Sequence, residues 1–154
     1  NHNGYQVIDV ITRSGNTDFF GRVEESDFEI SKKEDWDAAR IKIGFPGGNE
    51  ANAKYLPHDI GMGKLVSLNK GCYPGQEIHA RLDSRGSPKK RIVMLSTNIG
   101  LELGKYSLSD GSTVKITSTS KTENLHLSLG ICSVDVSNDA KLIIEDVDSK
   151  LTLL

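Results

Sequence analysis

The stretch LNKGCYPGQEIHARLDSRG, residues 68–86, divides this chain into two textures. It opens as a loop marked by Gly71, Pro74 and Gly75. Pro74 suits the first turn of a helix, because its missing N–H costs nothing there. The helix continues from Gln76 to Asp83, and Gly86 and Pro88 stop it. Cys72 sits just ahead of that helix, where free backbone N–H groups and the helix dipole favour a thiolate, with Lys70 two residues away. The same surroundings would also hold a buried structural cysteine. Glu77 and Arg81 stand four apart, the spacing of a helix ion pair, which on an exposed surface contributes only a few tenths of a kcal/mol. His79 shares the helix, but a single histidine is more often a packing or surface residue than a base. Cys72 and His79 are seven apart, which suits no standard zinc pattern, so no metal site is expected.

After Pro88 the pattern becomes that of strands. Residues 91–96 (RIVMLS), 106–109, 112–119, 125–136 and 141–146 all read as β, and Asp110-Gly111 is a hairpin turn signal. Regular short strands between turn residues predict a small antiparallel barrel or sandwich. Cys132 lies in the apolar run LSLGICSVDV and is expected in its core.

Before the dividing stretch, residues 5–11 (YQVIDVI) and 19–23 read as strands around a turn at Ser14-Gly15-Asn16. Ser31 and Glu34 have capping-box spacing for a helix that should end near Gly44, with Trp36 as a core residue. FPGGNEAN, residues 45–52, reads as a loop, and residues 64–68 as a short strand. Neither the glycines of this loop nor Gly61-Met62-Gly63-Lys64 completes a phosphate-binding P-loop.

The 154 residues suffice for one substantial domain or two small ones. Nineteen Lys and Arg against 21 Asp and Glu argue against a general nucleic-acid binder. Positive charge is local: Arg81, Arg85, Lys89, Lys90 and Arg91 form either a solvated loop or an anion-binding patch. No apolar run approaches the roughly 20 residues of a membrane span. Two cysteines sixty apart are no disulfide framework, so a reducing compartment is expected, cytoplasmic by default and mitochondrial for a eukaryotic source. A first residue that is Asn, with a strand expected soon after it, reads as a processed or truncated chain.

KGCYPGQE, residues 70–77, resembles the KGCYxGQE signature of the YgfZ family, folate-binding proteins related to the aminomethyltransferase of the glycine cleavage system. The likeness extends to Arg40-Ile41-Lys42-Ile43-Gly44-Phe45-Pro46, to Leu56-Pro57, Gly61 and Val66-Ser67, and to the ARxxxRG pattern of Ala80-Arg81 and Arg85-Gly86. It covers about residues 39–91; the strands beyond agree in texture and position.

The resemblance implies an α+β chain. Residues 1–87 would be the end of an aminomethyltransferase-like α/β folate-binding body, and residues 88–154 a small C-terminal antiparallel β-barrel. It implies a tetrahydrofolate-linked role in assembly or repair of iron–sulfur clusters, with Cys72 as the working or docking residue. Folate or a folate-like anion would contact Lys42, Lys70, Tyr73, Gln76, Glu77 and Arg81, in a pocket that this chain holds only in part. Iron–sulfur client or scaffold proteins would be the partners; nucleic acid and membrane would not. Two positions depart from the pattern. Relatives often carry an acid where Lys42 stands, and lysine offers only donors, so it cannot accept hydrogen bonds from a pterin. Pro74 replaces a common Thr and loses its side-chain cap. Two other readings stand beside this one: a non-catalytic docking module using Cys72, Tyr73 and the basic stretch, and a true aminomethyltransferase, which lacks the cysteine motif.

Overall fold

The structure is a computed structural model and describes residues 31–145 and 147–154. The strands expected at residues 5–11 and 19–23, and the turn between them, lie outside the described residues.

Helix α1 spans Lys33–Lys42. It starts one residue later than the Ser31–Glu34 spacing predicts: Lys32 caps it, and the Asp35 carboxylate accepts from the Lys32 N–H at 3.0 Å. Its end is as expected. Phe45 N–H donates to the Arg40 carbonyl at 2.7 Å and Gly44 N–H to Ile41 at 3.0 Å, the paired bonds that close a helix around a left-handed glycine. Two short 3-10 turns follow, Pro57–Ile60 and Gly63–Leu65. The second replaces the strand expected at residues 64–68 and leaves Leu65 exposed. Helix α2 spans Gln76–Arg85.

Five antiparallel strands form one sheet: β1 (Lys90–Thr97), β2 (Gly104–Ser107), β3 (Thr113–Lys121), β4 (His126–Ser133) and β5 (Ser149–Leu153), in the order β2-β3-β4-β1-β5. Among the described residues the sheet is open, with β2 and β5 as its edges, so the expected barrel is not closed by them. Residues 141–145 are the reason. They do not extend as a strand; they run from beside β2, through a single Leu108–Leu142 bridge and an Ile143 N–H to Ser107 carbonyl bond of 3.0 Å, towards β5 on the opposite edge. The Ser149 hydroxyl accepts from the Leu142 N–H at 2.9 Å and ties that crossing to the start of β5.

Both faces of the sheet are covered. Val93, Leu95, Val114, Ile116 and Cys132 pack with Leu108, Val136 and Leu142 on one side. Ile92, Leu127, Leu129 and Ile131 pack with Ile41 of α1 and Ile60 on the other. Two-sided burial is why β1 and β4 read as nearly continuous apolar runs rather than alternating ones.

Two irregularities set the side-chain directions. The hairpin signal at Asp110-Gly111 holds, but its loop has three residues: Leu108 N–H pairs with Ser112, Gly111 N–H donates to Leu108, and Gly111 sits at φ +83. A left-handed third residue of this kind favours glycine and shifts the register by one against a two-residue turn. Lys105 therefore lies opposite Lys115. In β3 a bulge between Ile116 and Ser118 inserts Thr117. Beyond it Ser118 pairs with Leu129 and turns toward α1, whereas Ile116, pairing with Gly130, faces away.

Candidate functional site

The loop carrying Cys72 is shaped by its own signature side chains. Tyr73 donates its hydroxyl to the Ser67 carbonyl at 3.0 Å. The Gln76 amide reaches back to the carbonyls of Leu68 at 3.2 Å and Lys70 at 3.4 Å. Lys70 holds its ammonium 4.6 Å from the Tyr73 ring centre. These contacts order the backbone around Cys72 from both sides, because each bridges six or eight residues of loop. Gly75 caps α2 at φ +84, so the helix begins at Gln76 and Pro74 lies in the turn before it, not in the first helical turn. Cys72 is exposed, and among the described residues no hydrogen bond or ion pair engages its thiol.

Helix α2 is held by one buried side chain. His79 is 8% exposed and stacks on His58, ring centres 5.3 Å apart, with Tyr73 at 6.3 Å on a tilted plane. This makes His79 the anchor between α2, the Cys72 loop and the first 3-10 turn. Gln76 and Leu82 are half-buried, and the opposite side faces outward: Ile78 is 52% exposed, and the Glu77–Arg81 pair closes at 3.0 Å with both side chains in solvent. Cys132 is buried in the sheet as expected, and burial pushes its thiol up to about 11.

Compared with curated proteins, the chain matches the tRNA-modifying protein YgfZ. It is 35% identical over 71 residues to that of Escherichia coli O139:H28 (strain E24377A / ETEC), of Escherichia coli (strain K12 / DH10B) and of Shigella boydii serotype 18 (strain CDC 3083-94 / BS512). Those residues are 44% of this chain and 22% of each relative. Part of this chain is YgfZ-like. The match spans about a fifth of the length of these relatives, and no protein-family profile matches the chain.

The YgfZ-like signature brings Lys70, Tyr73 and Gln76 together around Cys72, and it pairs Glu77 with Arg81. Lys42 stands apart: it is exposed at the end of α1, with no hydrogen bond or ion pair to the signature loop among the described residues. Two surface cavities are lined by other residues altogether, around Tyr55, Lys105 and Lys115. Neither of these two cavities is lined by Lys42, Lys70, Tyr73, Gln76, Glu77 or Arg81, the residues expected to contact folate. No group of three or more His, Cys, Asp or Glu there is placed to hold a metal ion, and no described helix is long and apolar enough to cross a membrane.

Trp36 is not the core residue its size predicts; it is 43% exposed and meets Phe45 edge-on at 6.2 Å. The buried side of α1 carries Asp37, Arg40 and Ile41 instead, since Arg40 has partners in the sheet. Glu50, which the sequence reading passed over in the glycine loop, is fully buried beneath it. It accepts from Ser118 Oγ at 2.7 Å and from the Gly47 N–H at 2.8 Å, and it lies 3.5 Å from Arg40 Nη1. That separation is an ion pair rather than a hydrogen bond, which is why Nη1 has no hydrogen-bond partner. Arg40 also donates to Asp37 at 2.7 Å and to Ser118 at 3.0 Å. The signal that could have found Glu50 was its place in the loop: it is the one carboxylate in residues 45–52, and loop N–H groups drawn away from water need an acceptor.

Proposed function

We propose that this chain is the YgfZ-like portion of a protein that supports assembly or repair of iron–sulfur clusters in a tetrahydrofolate-linked way, with Cys72 as the residue that reacts or docks. The observation that carries this reading is the exposed Cys72 in a loop closed by Tyr73 and Gln76, two neighbours in the same signature. A cysteine kept for packing would be buried, as Cys132 is. Folate is supported by the resemblance alone. The relatives are named tRNA-modifying proteins, which makes tRNA modification the natural readout.

The test is complementation of a strain lacking YgfZ by the complete gene product, with tRNA modification and iron–sulfur enzyme activity measured. Cys72→Ser is expected to lose rescue at unchanged protein level. Full rescue by this variant would remove Cys72 from the function. The docking alternative is favoured by the outward face of α2, where Ile78 is exposed beside the Glu77–Arg81 pair. Alkylation rates separate the two readings. A native Cys72 that reacts faster than an unstructured cysteine supports thiol chemistry, and an equal or slower rate supports docking. Cys132 should stay unlabelled until the protein unfolds, because burial keeps its thiol protonated. An aminomethyl transfer assay to tetrahydrofolate is expected to show nothing.

A further inference from the structure

Four lysines of this chain, Lys89, Lys90, Lys105 and Lys115, gather at one face of the sheet. By register, Lys105 of β2 lies opposite Lys115 of β3, and Lys115 lies opposite Ile131 of β4. Ile131 pairs with Ile92, and Lys90, two residues before Ile92, therefore points to the same face. These side chains, with Lys89, line a cavity of about 420 Å³ whose wall also carries Thr113, Ser133 and Tyr55. No carboxylate lines it among the described residues. None of the four lysines forms an ion pair with an acidic residue there; Lys90 instead lies 5.3 Å from the centre of the Tyr55 ring. Asp135 accepts from Ser133 Oγ at 3.4 Å from outside this lining.

Like charges directly opposite on neighbouring strands destabilise a sheet. The Lys105–Lys115 pair is a standing cost that a bound anion would relieve. We infer that this face binds a ligand carrying two or more closely spaced phosphate groups. Charge density selects phosphate. Four ammonium groups around one small cavity call for several negative charges in little volume, and a phosphate group supplies up to two together with three acceptor oxygens. Lysine serves phosphate as a mobile point charge, and the Thr113 hydroxyl adds a donor for its oxygens. A second cavity of about 340 Å³ shares Tyr55 and Lys115 and adds Lys54, so the basic surface continues beyond the first. A polyphosphate of a nucleotide and the backbone of a single strand present this same chemistry.

The test titrates the full chain with inorganic tripolyphosphate, followed by calorimetry and by thermal unfolding. Binding that raises the melting temperature is expected, and Lys105→Gln with Lys115→Gln should weaken it at least tenfold. Lys64→Gln with Lys121→Gln, away from the cavity, should leave it unchanged. Without ligand the Lys105/Lys115 double variant should melt no lower than the parent, since it removes the facing charges. No binding, or equal binding by the double variant, would overturn the site. A tetraglutamate peptide binding as tightly as tripolyphosphate would overturn the choice of phosphate. A single-stranded hexanucleotide then identifies the source. Binding tenfold tighter than tripolyphosphate, with log K falling against log salt at a slope of about −2 for three phosphate contacts, supports a strand. Weaker binding supports a free polyphosphate.

Discussion

Replacing Glu50 with alanine should destabilise the fold by about 3 kcal/mol, six times or more the effect at the visible ion pair Glu77–Arg81. Glu50 is fully buried and serves three partners: the Ser118 hydroxyl, the Gly47 N–H and the Arg40 guanidinium. Losing the carboxylate leaves the buried Ser118 hydroxyl without its acceptor, at about 1–3 kcal/mol, and the half-buried Gly47 N–H without its own, at less. Breaking a buried ion pair from one side costs about 3–5 kcal/mol in general. The lower end applies here, because Arg40 keeps Asp37 at 2.7 Å and its side chain remains 11% exposed. Glu77 and Arg81 are 85% and 75% exposed, so Glu77→Ala should cost no more than about 0.5 kcal/mol. Urea unfolding followed by fluorescence of Trp36, the single tryptophan, measures both, since Trp36 rides on α1 beside Phe45. With a slope near 2 kcal/mol per molar, Glu50→Ala should lower the midpoint by about 1.5 M. Glu50→Gln keeps the volume without the charge and should fall between parent and alanine. A Glu50→Ala midpoint indistinguishable from that of Glu77→Ala would refute the buried network as the clamp between α1, the glycine loop and β3.

Two further predictions concern the sheet. At Gly130, an added Cβ would lie 2.6 Å from Val114 Cγ2 and 3.2 Å from the Lys115 carbonyl. Gly130→Ala should therefore cost about 1–3 kcal/mol by overpacking, seen as a lower melting temperature, and an unchanged temperature would show that β3 can yield there. Asp110 accepts from the Ser112 side chain, and from the Ser137 and Ser112 N–H groups at 3.0 Å each. These bonds, the Ser112 hydroxyl first, hold its carboxyl below the usual range. A depressed folded pKa adds stability above the unfolded value near 3.9, and that stability is lost as pH falls through the lower folded value. The melting-temperature difference between parent and Asp110→Asn should be present at pH 7 and vanish as the pH drops below that window.

The local devices were legible in the chain. The close of α1 at Gly44, the span of α2 and the places of β1 to β4 follow from glycine, proline and runs of β-branched residues, which act over a few residues. The Cys72 loop was legible too, because KGCYPGQE contains the side chains that fold it. Trp36 was misjudged because apolar size does not say which side of a helix meets the core. α1 turns Ile41 to the apolar face of the sheet and Arg40 to Ser118 and Glu50, which leaves Trp36 on its outer side. β5 was missed because residues 141–145 look more like a strand than Ser149–Leu153 does; the latter becomes one only by finding the free edge of β1.

Turn chemistry, the apolar strands, the signature helix and the likeness to YgfZ are all written in neighbouring residues and can be read from them. Which face each side chain occupies follows only once the strands have packed. A three-residue hairpin loop set Lys105 against Lys115, and one inserted residue in β3 turned Ser118 to Glu50 and Arg40. In a strand, direction alternates with every residue. A single-residue change in a turn or bulge therefore reassigns all the partners beyond it, and a register is settled only when the strands meet.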